Sequence, residues 1–151
     1  MAFTVTSPAF ADGQPVPTQF TCDGNDAPPP IAMADPPKGT KSFAVIMDDP
    51  DAPNATFTHW LAYDIPADGN ALRATAGKTL KNSFGRTGYG GPCPPPGHGS
   101  HRYFFTVYAV DEPALELPGD PREDLEAALK GHTLAKSGIH GPIRTHPLNR
   151  T

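Results

Sequence analysis

Prolines (20) and glycines (15) punctuate a chain of 151 residues more densely than an ordinary globular domain requires. Many short strands joined by proline and glycine turns account for both counts. Apolar residues make up 37% of the chain, which is not a disordered composition. The length suits one domain, residues 1–151, able to bury a core without staples. No internal repeat and no linker interrupts it.

Three segments read as strands. SFAVIM (42–47) is a continuous apolar run, as in a buried strand, and Asp48-Asp49-Pro50-Asp51-Ala52-Pro53 ends it. FTHWLAYDI (57–65) alternates, which puts Phe57, His59, Leu61, Tyr63 and Ile65 on one face. In HRYFFTVYAVD (101–111), His101, Tyr103, Phe105 and Val107 share a face. One helix is expected over DPREDLEAALKG (120–131). Asp120 would be its N-cap, Pro121 its first residue and Glu123 the third of a capping box. Leu125, Ala128 and Leu129 form its apolar stripe, and Gly131 can end it. The tail from Lys136 onward, rich in glycine, proline and histidine, takes no clear assignment. Mostly antiparallel strands with long connections suggest a Greek-key β-sandwich of two sheets with one or two short helices.

Composition also excludes functions. A net charge of −4 without a Lys/Arg cluster argues against nucleic acid as a partner. MAFTVTSPAF lacks the basic and apolar regions of a signal peptide. No apolar stretch approaches the ~20 residues of a membrane span. A cytoplasmic protein is therefore expected. Cys22 and Cys93 are then thiols, although they could lie close together in space. No C-x-x-C or cofactor motif is present. Ala76-Gly77-Lys78-Thr79 lacks the first glycine of a phosphate loop, because position 72 is Leu72.

The chemistry-bearing residues gather in two places. Asp48, Asp49 and Asp51 could ligate a cation through oxygen, or form a hydrogen-bonded turn with the prolines, which is the simpler reading. Asp51-Ala52-Pro53 is also a place for a cis peptide bond. His59 and His101, each on a strand, could converge with Asp49 on a cavity for an anion or a metal. His98 and His101 have H-x-x-H spacing, but Gly97 and Gly99 oppose a helix and zinc wants a third protein ligand. Nucleophilic catalysis finds little support. There is no G-x-S-x-G, Ser100 and His101 would point to opposite faces, and Cys93 is the better nucleophile of a weak set. Gly90-Gly91-Pro92-Cys93-Pro94-Pro95-Pro96-Gly97 is stiff, with backbone N–H groups open to close approach, as the rim of a preorganised pocket would be.

Asp49-Pro50-Asp51-Ala52-Pro53, then His59-Trp60, then Gly91-Pro92-Cys93-Pro94-Pro95-Pro96-Gly97 with His101-Arg102-Tyr103, resemble the phosphatidylethanolamine-binding protein family. The likeness is closest to its short prokaryotic, Raf-kinase-inhibitor-like branch. Phe20-Thr21-Cys22-Asp23-Gly24 and Asn82-Ser83-Phe84-Gly85-Arg86-Thr87-Gly88-Tyr89 extend it, over residues 3–135. The resemblance implies a Greek-key β-sandwich with a small pocket for phosphate, acetate-like anions or phosphorylated head groups. It places the ligand-binding residues on Asp49, His59, His101 and Tyr103, with Pro94 and Pro95 as walls. Cys93 stands where some relatives carry glycine, which narrows the rim. Arg102 alternates away and would pair with an aspartate of the turn. Longer members cover the pocket with a C-terminal helix. Here the pocket is expected to be more open, or covered by a second subunit in a homodimer, and a strand-like end is not evident in Ile139-His140-Gly141-Pro142-Ile143-Arg144.

These readings lead to a non-enzymatic binding module for a small anionic or phosphorylated ligand, without cofactor or metal. Regulation of a protein partner such as a kinase or protease is implied only by the resemblance. The alternative is a hydrolase using the same His/Asp/Tyr pocket, with or without a metal.

Overall fold

A computed structural model describes residues 2–94 and 99–144. Its strands are β1 (Thr4–Thr6), β2 (Ala32–Ala34), β3 (Ser42–Asp49), β4 (Phe57–Pro66), β5 (Lys78–Thr79), β6 (Ser100–Val110) and β7 (Thr133–Arg144), with one α-helix, α1 (Arg122–His132), before β7. All pairings are antiparallel. β1 and β2 form a two-stranded sheet, and the second sheet runs β5-β4-β3-β6-β7. Within it, β6 returns by a long connection to lie beside β3, so β6-β3-β4-β5 is a Greek key. The fold class expected from the strand pattern is the one observed.

The unbroken apolar run in β3 reflects burial on both faces. Phe43, Val45 and Met47 join Val5 of β1, Met33 of β2 and Tyr103, Phe105 and Val107 of β6 in one core. Ala44 and Ile46 face the other way, onto Leu125 and Leu129 of α1. Phe3 stacks on Phe43 with ring centroids 6.1 Å apart, tying the N-terminal layer to the central strand.

Strict alternation does not hold along β4. Phe43 pairs with Ile65 but Val45 with Ala62, and Met47 pairs with Trp60 but Asp48 with Thr58. Each shift inserts one extra residue, and each moves the following side chains to the other face. Trp60, Ala62 and Ile65 consequently share the main core, while Leu61 and Tyr63 pack against α1. The bulge near Ile65 carries Asp64 at φ 56°, an αL conformation that aspartate tolerates better than most residues.

The helix starts later than its sequence suggests. Pro121 is the N-cap, in extended conformation, and Asp120 makes no cap. The residue before a proline is disfavoured in the α region, which keeps Asp120 out of the helix. Glu123 and Asp124 still fill the first turn and suit the helix dipole. Gly131 lies inside the helix, which runs to His132 and passes through an extended Thr133 directly into β7. α1 is anchored by Arg122, whose guanidinium donates to both oxygens of Asp48 at 2.6 and 2.9 Å and to Thr58 Oγ1 at 2.7 Å.

The tail left unassigned above is a strand. β7 pairs with β6 from Thr133 to Arg144, so 139–144 is strand as well. Pro142 is tolerated because β7 is an edge strand. Its outer edge is covered by the N-terminal segment: Gly13 N–H donates to His140 O, Val16 N–H to Pro142 O, and His140 N–H to Asp12 Oδ1. Gly141 is required there, since a Cβ would collide with the carbonyl of Gln14. No peptide bond among the described residues is cis, so Ala52–Pro53 is trans.

The cysteines are not thiols. Cys22 and Cys93, 71 residues apart, are joined by a disulfide with Cα atoms 5.4 Å apart. Closing a loop of that length removes much of the unfolded chain's freedom, about 4 kcal/mol on the chain-entropy account. A Cys22→Ala/Cys93→Ala variant is expected to lose on that order of stability in urea unfolding, and an unchanged midpoint would show that hydrogen bonds alone hold these segments together. Arg122→Ala, which leaves Asp48 without its charged partner, is expected to cost about 1–3 kcal/mol in the same measurement. No loss would mean that Leu125 and Leu129 suffice to seat α1.

Candidate functional site

Asp49 ends β3 on the core-facing side, in line with Phe43, Val45 and Met47. His101 and Tyr103 begin β6 on the same side. The adjacent aspartates diverge. Asp48 turns to Arg122, on the opposite face of the sheet. Asp51 takes Arg102 on the outside: the guanidinium donates to both its oxygens at 2.9 Å, and the Arg102 backbone N–H donates to Oδ2 at 2.8 Å. That cation holds the Asp51 carboxyl at about 2, below the usual carboxylate range. The three carboxylates thus form a turn with separate partners, as the simpler reading of that stretch expects, and Arg102 has the structural place foreseen for it.

Asp49 is 3% exposed and both its oxygens are engaged. Oδ1 accepts the backbone N–H of Asp51 at 2.9 Å, and Oδ2 accepts Nδ1–H of His101 at 2.6 Å. His59 is the extra residue of the second bulge in β4, and its ring enters the same space. Its Nδ1 lies 2.6 Å from the carbonyl of Gly90, so that nitrogen carries the proton and donates it. Gly90 N–H donates in return to the carbonyl of His59 at 2.9 Å. The imidazole stands among Phe57, Tyr103 and Phe84, at centroid separations of 4.9, 5.2 and 5.4 Å. Burial among these rings pushes the His59 pKa below its ordinary value, and the Gly90 carbonyl and Asp49 offset that only in part. Burial also raises the Tyr103 pKa, helped by Asp49 and Asp51, so its hydroxyl keeps its proton.

The described part of the stiff loop is tied down at several points. Tyr89 O–H donates to Phe20 O at 2.7 Å, Gly91 N–H to Asp26 Oδ1 at 2.6 Å, and Cys22 N–H to Pro92 O at 3.1 Å. The Cys22–Cys93 bridge completes the attachment. A Cβ at Gly90 would lie 2.5 Å from the Phe84 ring, so any larger residue there would displace that ring.

These elements enclose a cavity of about 190 Å³. Six residues singled out from the sequence line it: Asp49, His59, His101, Tyr103, Cys93 and Pro94. Pro95 and His98 lie outside the described residues. Four further lining residues, Ala52, Pro53, Phe57 and Phe84, had been given no role. Phe57 could have been found from its place two residues before His59 on one strand face. Phe84 comes from the Asn82–Tyr89 loop, which carries part of the family resemblance but no residue pattern that aims this ring at the cavity. Cys93, in its disulfide, is not available as a thiolate nucleophile. Among the described residues, three ligating side chains close enough for one ion occur at Asp111, Glu112 and His132, at the far end of β6, and not in this cavity.

With the geometry in view, comparison with known proteins gives a consistent result. The family model for phosphatidylethanolamine-binding protein matches residues 6–144. A UPF0098 protein of Aquifex aeolicus is 49% identical over 146 residues, covering 91% of this chain and 85% of its own. The crystal structure of a phosphatidylethanolamine-binding protein homolog, CT736 of Chlamydia trachomatis, superposes with a TM-score of 0.84 at 33% identity, covering 94% of this chain and 97% of its own. YbcL of E. coli, described as a member of the mammalian family, gives 0.83 at 29% identity, covering 94% and 98%. The chain belongs to the phosphatidylethanolamine-binding protein family.

Proposed function

We propose that this protein is a non-enzymatic binding module whose cavity holds a small oxyanion, a phosphate or a phosphorylated or carboxylate group of a larger ligand. The observation that carries this reading is the convergence of His59, His101 and Tyr103 on one small space around a carboxylate that is already satisfied. A satisfied Asp49 is spared for positioning: it fixes the tautomer and orientation of His101. The Tyr103 hydroxyl can donate to an anion, and an imidazole whose Nδ1–H is already bonded donates from Nε2 only when the ring is protonated. The hydrolase reading draws on the same Asp49–His101 pair, which has the form of a carboxylate-oriented general base. No serine, threonine or free thiol among the described residues lines the cavity to act with it. Action on a kinase or protease would follow if the oxyanion belonged to a protein partner, and the same cavity would then read a phosphorylated side chain. A homodimer covering the cavity mouth is part of the same proposal.

No described helix is long and apolar enough to cross a membrane. Placement in the cytoplasm carries one condition. The Cys22–Cys93 bridge needs an oxidising compartment, or a cytosol such as a hyperthermophile's in which bridges persist.

Titration with inorganic phosphate and phosphoethanolamine, followed by the His59 and His101 ring signals, tests the reading. Specific saturable shifts, abolished in His59→Ala and His101→Ala variants that remain folded, are expected. Silent rings, or turnover of a simple ester lost in His101→Ala, would move the assignment to the hydrolase. The pH dependence has a definite sign. Because Nδ1–H of His59 is committed to Gly90, Nε2 can donate to an anion only when the ring is protonated. Its pKa is depressed, so acetate affinity should weaken as pH rises through and above the ring's pKa, approaching about tenfold per pH unit. Affinity independent of pH would show that His59 does not charge on binding.

A further inference from the structure

We infer that the cavity selects a singly charged oxyanion that carries an apolar, preferably aromatic, group, over a doubly charged bare phosphate. This rests on the oxyanion reading above and specifies its ligand class.

Two independent features point the same way. The first is charge. None of the described residues lining the cavity is lysine or arginine, and Asp49 is the one acidic side chain among them. Of the nearby guanidiniums, Arg102 is paired with Asp51 and Arg122 with Asp48 on the far face, while Arg86 lies over the Phe84 ring, outside the residues that line the cavity. His59 is buried among three rings, where the uncharged form is favoured. With His101 charged, the Asp49–His101 pair is neutral; with it uncharged, the pair is negative. Sites that hold dianionic phosphate use arginine forks, lysines or rows of backbone donors. This cavity offers one phenol and two imidazoles beside a carboxylate, which suits one negative charge.

The second feature is the wall. Besides its four polar side chains the cavity is lined by Ala52, Pro53, Phe57, Phe84, Cys93 and Pro94. Phe84 stands at the mouth with 40% of its surface exposed, one of two large apolar side chains so exposed among the described residues. Its ring meets Phe57 edge-on at 4.7 Å and lies close against Gly90. Arg86 lies over the ring at 5.3 Å, outside the residues that line the cavity. A half-exposed aromatic edge beside a polar well is suited to a ligand with a charged head and an apolar arm. About 190 Å³ leaves room for an oxyanion head and part of one ring, the remainder lying against Phe84.

The experiment uses the full chain at one near-neutral pH, the lowest at which phenyl phosphate is still mainly the dianion, so that the protein's protonation is common to every arm and His59 is as close to its charging range as the comparison allows. Acetate is compared with benzoate, which differ in the apolar group. Phenyl phosphate, a dianion there, is compared with methyl phenyl phosphate, a monoanion. Binding is read by calorimetry and by the His59 ring signal. Benzoate is expected to bind about tenfold more tightly than acetate, the worth of one aromatic contact with its burial. The phosphodiester is expected to bind more tightly than the phosphomonoester. Phe84→Ala should shrink the ratio of benzoate to acetate affinity towards one, and Phe84→Leu should retain part of that ratio. Equal affinities for acetate and benzoate, or a dianion preferred to the diester, would overturn the inference while leaving the oxyanion site in place. Silence of all four ligands would overturn both. If neither Phe84 variant folds, the wild-type comparisons decide alone.

Discussion

His59 is the residue by which β4 exceeds β3 between the pairs Met47–Trp60 and Asp48–Thr58, and the cavity depends on that excess. In a regular strand His59 and Trp60 would point to opposite faces. The bulge lets Trp60 fill the main core while His59, its neighbour, enters the cavity beside Tyr103. Removing the extra residue would force a choice between core packing and the site. The reciprocal bonds between His59 and Gly90 then transmit that local irregularity to the loop, because the loop's position is set by a residue already out of the ladder. Bulges recur beside functional sites for this reason: they re-aim one side chain without dismantling the sheet.

The aspartates at the end of β3 show how one short stretch serves three purposes without mutual repulsion. Asp48 seats α1, Asp49 orients His101, and Asp51 binds Arg102 and closes the turn. Strand alternation separates Asp48 from Asp49, and the turn carries Asp51 outward. Asp49 alone is deeply buried, and it is the one whose two oxygens are bonded within the site. A buried carboxylate without such partners would be costly. The Asp51–Arg102 pair is solvent-facing and adds little energy by itself. It does fix the turn over the first residues of β6, and so the spacing between Asp49 and His101.

Much of this was legible in the sequence. The apolar run of β3, the alternation of β6 and the order of the motifs located the sheet's centre and the residues Asp49, His59, His101 and Tyr103. The rest depended on contacts distant in the chain. Alternation along β4 is broken by bulges whose positions are set by pairing with β3, so Leu61 and Tyr63 could not be separated from Ile65 by periodicity. β7 carries glycines and a proline that read as turn signals. It is a strand because β6 offers an edge and the N-terminal segment needs close approach at Gly141. The disulfide turned on an assumed redox environment, whereas the proximity of Cys22 and Cys93 follows from Pro92 and Gly91 bonding to the 22–26 segment. Phe84 belongs to a loop folded around Asn82, whose Oδ1 accepts the N–H groups of Phe84 and Arg86, and only that folding brings its ring to the cavity.

Under the proposed oxyanion reading, the loop over 89–94 is part of the recognition chemistry. Ordering a flexible wall at the moment of binding would subtract from an affinity that a cavity this small can ill supply. Here the wall is held by prolines, by bonds to Phe20, Asp26 and Cys22, and by the disulfide of Cys93, itself a lining residue. The same constraint holds Gly90 where its carbonyl captures the Nδ1 proton of His59. A floppy loop would free that nitrogen, and either tautomer could then present an N–H to a ligand. The fixed loop removes this freedom and leaves proton uptake as the way for His59 to donate. Rigidity in this loop therefore governs the protonation chemistry of the site as well as its shape.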